Sequence, residues 1–178
     1  LLGRAEVLKC VGVEPSGDAF NAIVLDPQTK RPFNPMVNAG AIAVCALLRR
    51  ELGDGALTAV LDRYSRAAGR QLAVSGPVCD SEASTGHRNR AIGHLLVSVG
   101  AAGDPIDPAL DLYFRLCAVL VNAEDLAKIG ATLANIGENP FTGETVFELA
   151  AVRDTLSVMF TCGMYDHSGN WALDVDAV

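Results

Sequence analysis

The sequence predicts an α+β arrangement, a cluster of helices flanked by strand pieces at both ends. Two patterns predict it. From about Asn34 to Phe160 apolar side chains recur at helical spacing. On either side, around Val7–Val13 and again from Met164, short apolar runs are bounded by turn residues. Half of the 178 residues are hydrophobic, enough for a sizeable core in one domain or in part of a larger one.

Val7, Leu8, Val11 and Val13 suit a strand, Pro15-Ser-Gly-Asp18 a turn, and Ile23-Val-Leu25 a second extended piece. Asn34-Pro35 reads as an N-cap followed by proline in the first helical position, opening a helix that runs to Leu52 and stops at Gly53. Leu57, Val60, Leu61 and Tyr64 mark a second helix, ended by Gly69. A third spans Ser81 to Val99, with Ala91, Ile92, Leu95, Leu96 and Val99 as its buried stripe. Asp107-Pro108 opens a fourth, carrying Leu112, Leu116, Val119 and Leu120. Asn122 caps a fifth, whose acidic Glu124 and Asp125 favour the helix dipole and which Gly137 ends. Thr142 to Phe160 supplies a sixth, stopped by Gly163. Strand-like residues return from Met164, bent at Ser168-Gly-Asn170. Leu1 at the start, and the alternating Trp171–Val178 at the end, read as the interior of a larger fold.

Composition excludes several functions. The net charge is −7, which opposes nonspecific nucleic-acid binding, since that depends on Lys and Arg neutralising phosphates. The longest uncharged run, Pro32–Leu48, contains Asn and Pro and falls short of the roughly 20 apolar residues of a membrane span. Arg4, Glu6 and Lys9 break up any signal peptide. The five cysteines, Cys10, Cys45, Cys79, Cys117 and Cys162, are odd in number and form no Cys-x-x-Cys pair. Reduced thiols in a cytoplasmic protein are the simplest reading. No glycine-rich phosphate loop and no Gly-x-Ser-x-Gly elbow occurs. His87 and His94 lie two helical turns apart, but too few partners stand near them or His167 for metal ligation. None of the three lysines, Lys9, Lys30 and Lys128, follows a serine by three residues, so the stretch holds no Ser-x-x-Lys nucleophile pair.

What remains are polar residues in apolar settings. Asn38 sits in Val37-Asn-Ala-Gly-Ala-Ile42. A polar amide there needs partners, from a neighbouring turn or from a ligand, and the small Ala39, Gly40 and Ala41 allow another chain or a ligand close approach. Glu82 and Asn89 are two turns apart on the third helix and can face the same way. A carboxylate binds an ammonium and an amide binds carboxylate or amide groups; a capped helix start with a solvated face is the plainer alternative. Tyr113 and Tyr165 border apolar helix residues, where packing is the default and a pocket hydroxyl finds a partner.

Several segments in order resemble the serine-dependent glutaminase family. Glu14-Pro-Ser-Gly-Asp-Ala-Phe-Asn21 resembles the stretch before its first substrate amide, and Asn34-Pro-Met-Val-Asn-Ala-Gly-Ala-Ile42 its hallmark helix start. Ser81-Glu-Ala-Ser-Thr-Gly-His-Arg-Asn-Arg-Ala91 resembles its Ser-Glu…Arg-Asn helix. Asp111-Leu-Tyr-Phe-Arg-Leu-Cys117, Val121-Asn-Ala-Glu-Asp-Leu-Ala127 and Asn139-Pro-Phe-Thr-Gly-Glu144 resemble the next helices and the turn after them. Thr161-Cys-Gly-Met-Tyr-Asp-His-Ser-Gly169 resembles the strand that closes its site.

The resemblance implies an α/β (α+β) fold of the serine β-lactamase/transpeptidase type, with residues 1–178 as part of a single glutaminase domain. It implies hydrolysis of L-glutamine to L-glutamate and ammonia, with no cofactor or metal. Asn38, Glu82, Asn89, Tyr113 and Tyr165 match the family's glutamine-binding residues. Glu82 is then the partner of the ammonium, Asn38 and Asn89 hold the α-carboxylate or backbone, and Tyr113 and Tyr165 handle protons or orient the nucleophile near the scissile amide. The implied nucleophile is a serine activated by a lysine three residues on. By family spacing that pair belongs about a dozen residues before Leu1. A Ser-Gly-x-Gly-Gly segment belongs within about ten residues after Trp171, and Asp176 stands where the family usually has glycine. The chain is thus expected to carry the binding side of the site, to lack turnover by itself, and to belong to a homo-oligomer, dimer or tetramer. The alternative is a non-catalytic remnant serving as a glutamine-binding or oligomerisation module. A β-lactamase or penicillin-binding relative fits less well, since no Lys-Thr-Gly is present.

Overall fold

A computed structural model describes residues 1–175. At its centre is a helix, α2 (Asn38–Leu52), which buries Ile42, Cys45, Leu47 and Leu48. The sequence places its start at Asn34, one turn earlier than observed. Asn34 instead closes a turn of its own. Its Oδ1 accepts the backbone N–H groups of Met36 (3.0 Å) and Val37 (3.3 Å), and its Nδ2 donates to the Glu14 carbonyl at 2.9 Å. That turn lies flat on the helix because Gly40 has no side chain. A Cβ there would collide with the Asn34 carbonyl. The close approach that the small residues allow is therefore taken by the chain's own turn.

Around α2 stand α3 (Ala56–Ala68), α5 (His87–Ser98) and α6 (Asp107–Cys117). They share a core of Val60, Ile92, Leu96, Leu110, Leu112 and Phe114 with it. The stops at Gly53 and Gly69 fall where the sequence puts them. The expected third helix is two: α4 (Gly76–Thr85) and α5, broken at Gly86. Of its stripe, Ile92 and Leu96 are buried while Ala91 and Val99 are exposed, and Gly93 packs on Ile106 and Leu110 instead.

Val119 and Leu120 leave the fourth helix. They form β2 (Val119–Leu120), antiparallel to β1 (Ala73–Val74), with Ala73 opposite Leu120. Helix α7 (Ala123–Ala134) opens as expected, with a reciprocal capping box between Asn122 and Asp125. The sixth helix, α8 (Leu149–Cys162), starts a full turn and more after Thr142. The preceding residues are claimed by Asn139, fully buried, whose Nδ2 donates to the Arg66 (2.9 Å) and Ala67 (3.1 Å) carbonyls. Its Oδ1 accepts from Phe141 N–H at 2.9 Å, which bends the chain away from helix.

The end strands are the main correction. Residues Arg4–Cys10 form a helix, α1, with a Lys9–Glu6 ion pair at 2.6 Å and the Arg31 guanidinium donating to the Leu8 carbonyl. Gly12 and Glu14 make single backbone bonds to Pro32 and Phe33 rather than a ladder, and Ile23–Leu25 has no paired strand among the described residues. After Met164 the chain turns at Tyr165–His167 and enters α9 (Ser168–Asp174). Trp171 packs edge-on to Phe160 at 6.5 Å there. The expected strand over Trp171–Val178 is thus helical as far as Asp174; Asp176 and its two successors lie outside the described residues. All five cysteines are free, with Cys10, Cys45 and Cys162 buried. Among the described residues no helix is long and apolar enough to cross a membrane.

Gly40→Ala is expected to lower stability by at least about 1–3 kcal/mol, the usual cost of overpacking, because backbone and not a mobile side chain fills the space; urea unfolding measures it. A second expectation concerns acid. Arg70 holds Asp125 in a two-point bond (2.7 and 2.5 Å). That bond, then the Asn122 backbone N–H, keeps the carboxyl below its ordinary range. A depressed carboxyl stabilises the fold fully above its unfolded pKa of about 4 and loses that contribution as pH falls through the lower folded value. The melting-temperature gap between wild type and Asp125→Asn should therefore stay constant from pH 5 to 8 and shrink below about pH 4.

Candidate active site

Asn38 and Asn89 come from different helices and meet. Asn38 is the first residue of α2, and its Nδ2 donates to Asn89 Oδ1 on α5 at 2.9 Å. Its backbone N–H, one of the unpaired donors of a helix start, is taken by the Phe20 carbonyl at 2.8 Å. The side-chain bond uses one donor and one acceptor. Asn38 Oδ1 and Asn89 Nδ2 remain, an acceptor beside a donor, which is the complement of another amide or of an amino acid's polar end.

Glu82 and Tyr113 come from two helices that pack together, α4 and α6. Glu82 is half-buried on α4, and Tyr113, on α6, is 9% exposed. Burial pushes the Tyr113 phenol above its ordinary range; Cys117, one helical turn on, and then the Glu82 carboxylate push it further. Tyr113 is thus a neutral hydroxyl at physiological pH, able to donate a hydrogen bond and unable to act as a phenolate base. Burial likewise lifts the Cys45 thiol to about 12, so it holds its proton and is no ready nucleophile.

The two α-helices that carry Glu82 and Asn89 are joined by Gly86 alone. A Cβ on Gly86 would sit 2.6 Å from the Phe114 ring and 2.7 Å from the Glu82 carbonyl oxygen. The missing side chain lets α4 and α5 meet over α6, bringing both toward Tyr113, the neighbour of Phe114.

Tyr165 joins from the far end of the chain. Its φ is +54°, in the left-handed region that costs a non-glycine residue energy. Two contacts hold it. Its ring lies 5.4 Å from that of Phe20, whose carbonyl already binds Asn38. The buried Ser168 hydroxyl donates to the Tyr165 carbonyl (3.1 Å) and accepts the Met164 N–H (3.2 Å). An open apolar groove of about 720 Å³, lined by Leu2, Val44, Cys45, Leu48 and Tyr64 among others, reaches the cluster at Tyr113; of the five candidate residues only Tyr113 lines it.

The structure thus links Asn38 directly to Asn89 and Tyr165 to Asn38 through Phe20, while Glu82 and Tyr113 stand on α4 and α6, which pack together. Sequence reasoning missed Phe20, Gly86 and Ser168. Phe20 stood inside a segment already singled out, and only its contacts mark it; Ser168 read as a bend. Among the described residues no three His, Cys, Asp or Glu side chains converge to hold a metal.

The glutaminase family model matches residues 1–177. The chain belongs to the glutaminase family. A glutaminase of Nostoc sp. is 53% identical over 173 residues, covering 97% of this chain and 52% of that protein. The crystal structure of a probable glutaminase of Bacillus subtilis matches with a TM-score of 0.90 at 35% identity, over 96% of this chain and 55% of that one. Mglu in its glutamate form matches with a TM-score of 0.87 at 40% identity, over 97% and 40%. The chain spans about half the length of curated relatives from Nostoc, Trichormus and Microcystis. The fold is the serine β-lactamase-like fold of these glutaminases, present here as its helical part.

For this glutaminase-family chain, Gly86→Ala is expected to cost about 1–3 kcal/mol, because the added methyl meets an aromatic ring pinned in the core. Equilibrium unfolding reads the loss. Unchanged stability would mean that α4 and α5 do not meet over Phe114.

Proposed function

We propose that the protein hydrolyses L-glutamine to L-glutamate and ammonia, this chain supplying the side of the site that holds the substrate. The observation that carries the reading is the Asn38–Asn89 amide pair, joined across two helices in a member of the glutaminase family. Free glutamine presents an ammonium, an α-carboxylate and a side-chain amide. Glu82 is the one carboxylate of the five residues and takes the ammonium in a charge-assisted bond. Asn38 and Asn89 orient the α-carboxylate without a fixed counter-charge. The neutral Tyr113 hydroxyl and that of Tyr165 serve the reacting amide as donors and proton relays. A product that keeps ammonium and α-carboxylate fits the same partners, in line with a relative solved in its glutamate form.

The nucleophile lies outside these 178 residues. In this reading a serine hydroxyl attacks the amide carbon while a lysine takes its proton. Backbone N–H groups steady the oxyanion, ammonia leaves, and water hydrolyses the acyl-enzyme. Neither metal nor cofactor enters. Five free thiols support residence in the reducing cytoplasm, and the family resemblance supports a homo-oligomer.

The test pairs binding with turnover. The purified 178-residue chain should release no ammonia from L-glutamine. Its melting temperature should rise by several degrees with L-glutamine or L-glutamate at about 100 times Kd, and Glu82→Gln should abolish the rise. Steady ammonia release would place a nucleophile inside the chain. No shift with either ligand would remove the substrate-holding role and leave a non-catalytic remnant.

A further inference from the structure

We propose that Arg90 is a positioning residue that sets Glu82, Asn89 and Tyr113 relative to one another; the ligand those three bind rests on the function proposed above. Arg90 reaches three helices, and on each it sits at or touches the neighbour of a site residue. It is itself on α5, directly after Asn89. Its Nη2 donates to the carbonyl of Ala83 at 2.5 Å, on α4 directly after Glu82. Its guanidinium carbon lies 5.3 Å from the centroid of the Phe114 ring, on α6 directly after Tyr113.

The chemistry of each contact suits the side chain. Ala83 is in the last turn of α4, where carbonyls have no partner within the helix and the dipole end is negative. A cation that donates there answers both needs. The Phe114 ring offers its face to a cation. A guanidinium is planar, so its edge can donate to a carbonyl while its face covers a ring; an ammonium cannot do both with the same geometry. Arg90 makes no ion pair with a carboxylate among the described residues. Its charge is directed at these two contacts alone.

The need for such a tie comes from Gly86. The junction of α4 and α5 is one residue long and carries no side-chain cap for α5. Gly86 makes room for the meeting of the helices but supplies no side chain to fix their angle. Arg90 spans the junction from the far side, with its own N–H bonded to the Gly86 carbonyl at 3.0 Å. A change in the α4–α5 angle would move the Glu82 carboxylate away from Asn89 and Tyr113 together.

The test uses Arg90→Lys and Arg90→Met in the full 178-residue chain, with three readouts. Binding of L-glutamine is compared with binding of 4-carbamoylbutanoate, the same molecule without the ammonium. Both variants should weaken L-glutamine about tenfold and leave the analogue nearly unchanged, because the interaction they disturb is the one through Glu82. A merely structural role would weaken both ligands in step with the melting temperature, and an unchanged ratio overturns the proposal. Amide exchange over residues 82–90 should rise in both variants while α7 stays protected. If wild type binds neither ligand, the proposed function fails, and exchange over 82–90 still decides: faster exchange in the variants upholds the tie, equal exchange refutes it. Should Arg90→Met not fold, the milder Arg90→Lys carries the same comparisons.

Discussion

The site depends first on a contact that only the absence of a side chain permits. The Asn34 carbonyl lies where a Cβ on Gly40 would be, so the Asn34 turn and the first turn of α2 share one space. That contact determines which residue begins the helix. With the turn seated, Asn38 is the first residue of α2, its amide meets Asn89 and its backbone N–H meets Phe20. Shift the start by one residue and the side chain rotates by about 100° around the helix, which breaks both bonds at once. Phe20 in turn carries Tyr165. A single packing constraint therefore reaches residues 20, 38, 89 and 165.

Charge is used sparingly within this frame. Four of the five candidate residues are neutral amides or phenols, and burial keeps Tyr113 protonated. The Asn38–Asn89 bond contributes a net of about 0.5–1.5 kcal/mol, but leaving either amide unpaired away from water costs about 1–3 kcal/mol. Its worth is thus in fixing which polar atoms face a ligand more than in stability. Glu82 is the exception, the single group with a formal charge. A site built this way discriminates by hydrogen-bond complement, and a ligand lacking one polar group leaves a site group unpaired.

Parts of this architecture were legible where a local signal and the tertiary structure agree. Helix α3 ends at Gly69 and α7 starts at Asn122 because stop and cap act within one turn of chain. The five site residues were legible as chemical types and as a match to a family pattern. Their mutual contacts were not, since no spacing reveals that an amide on α2 bonds one on α5. The errors share a cause. Residues after Thr142 carry helical spacing, yet Asn139 binds carbonyls more than seventy positions earlier and bends the chain. Val7, Leu8, Val11 and Val13 suit a strand, but a strand needs a partner and the chain there finds only single bonds. The break at Gly86, inside the single helix expected over Ser81–Val99, was not legible, because the Phe114 ring that gives it meaning lies on another helix.

Tyr165 shows how such a site divides the support of one residue. A non-glycine residue in the left-handed region costs about 1–3 kcal/mol. Against it stand the two Ser168 hydrogen bonds, at about 0.5–1.5 kcal/mol each, and the tilted ring pair with Phe20, at about 0.5–1.5 kcal/mol beyond its buried area. The hydrogen bonds hold the backbone of the turn but do not choose where the ring goes. The ring pair chooses the direction but is too weak alone to carry the upper end of the strain. The two hydrogen bonds together cover the same range as the strain, and the ring pair adds to them. The direction of the Tyr165 ring therefore depends on where Phe20 sits. Phe20 is held there by the backbone N–H of Asn38, so the placement of a ring at one end of the chain goes back to the helix start at its centre.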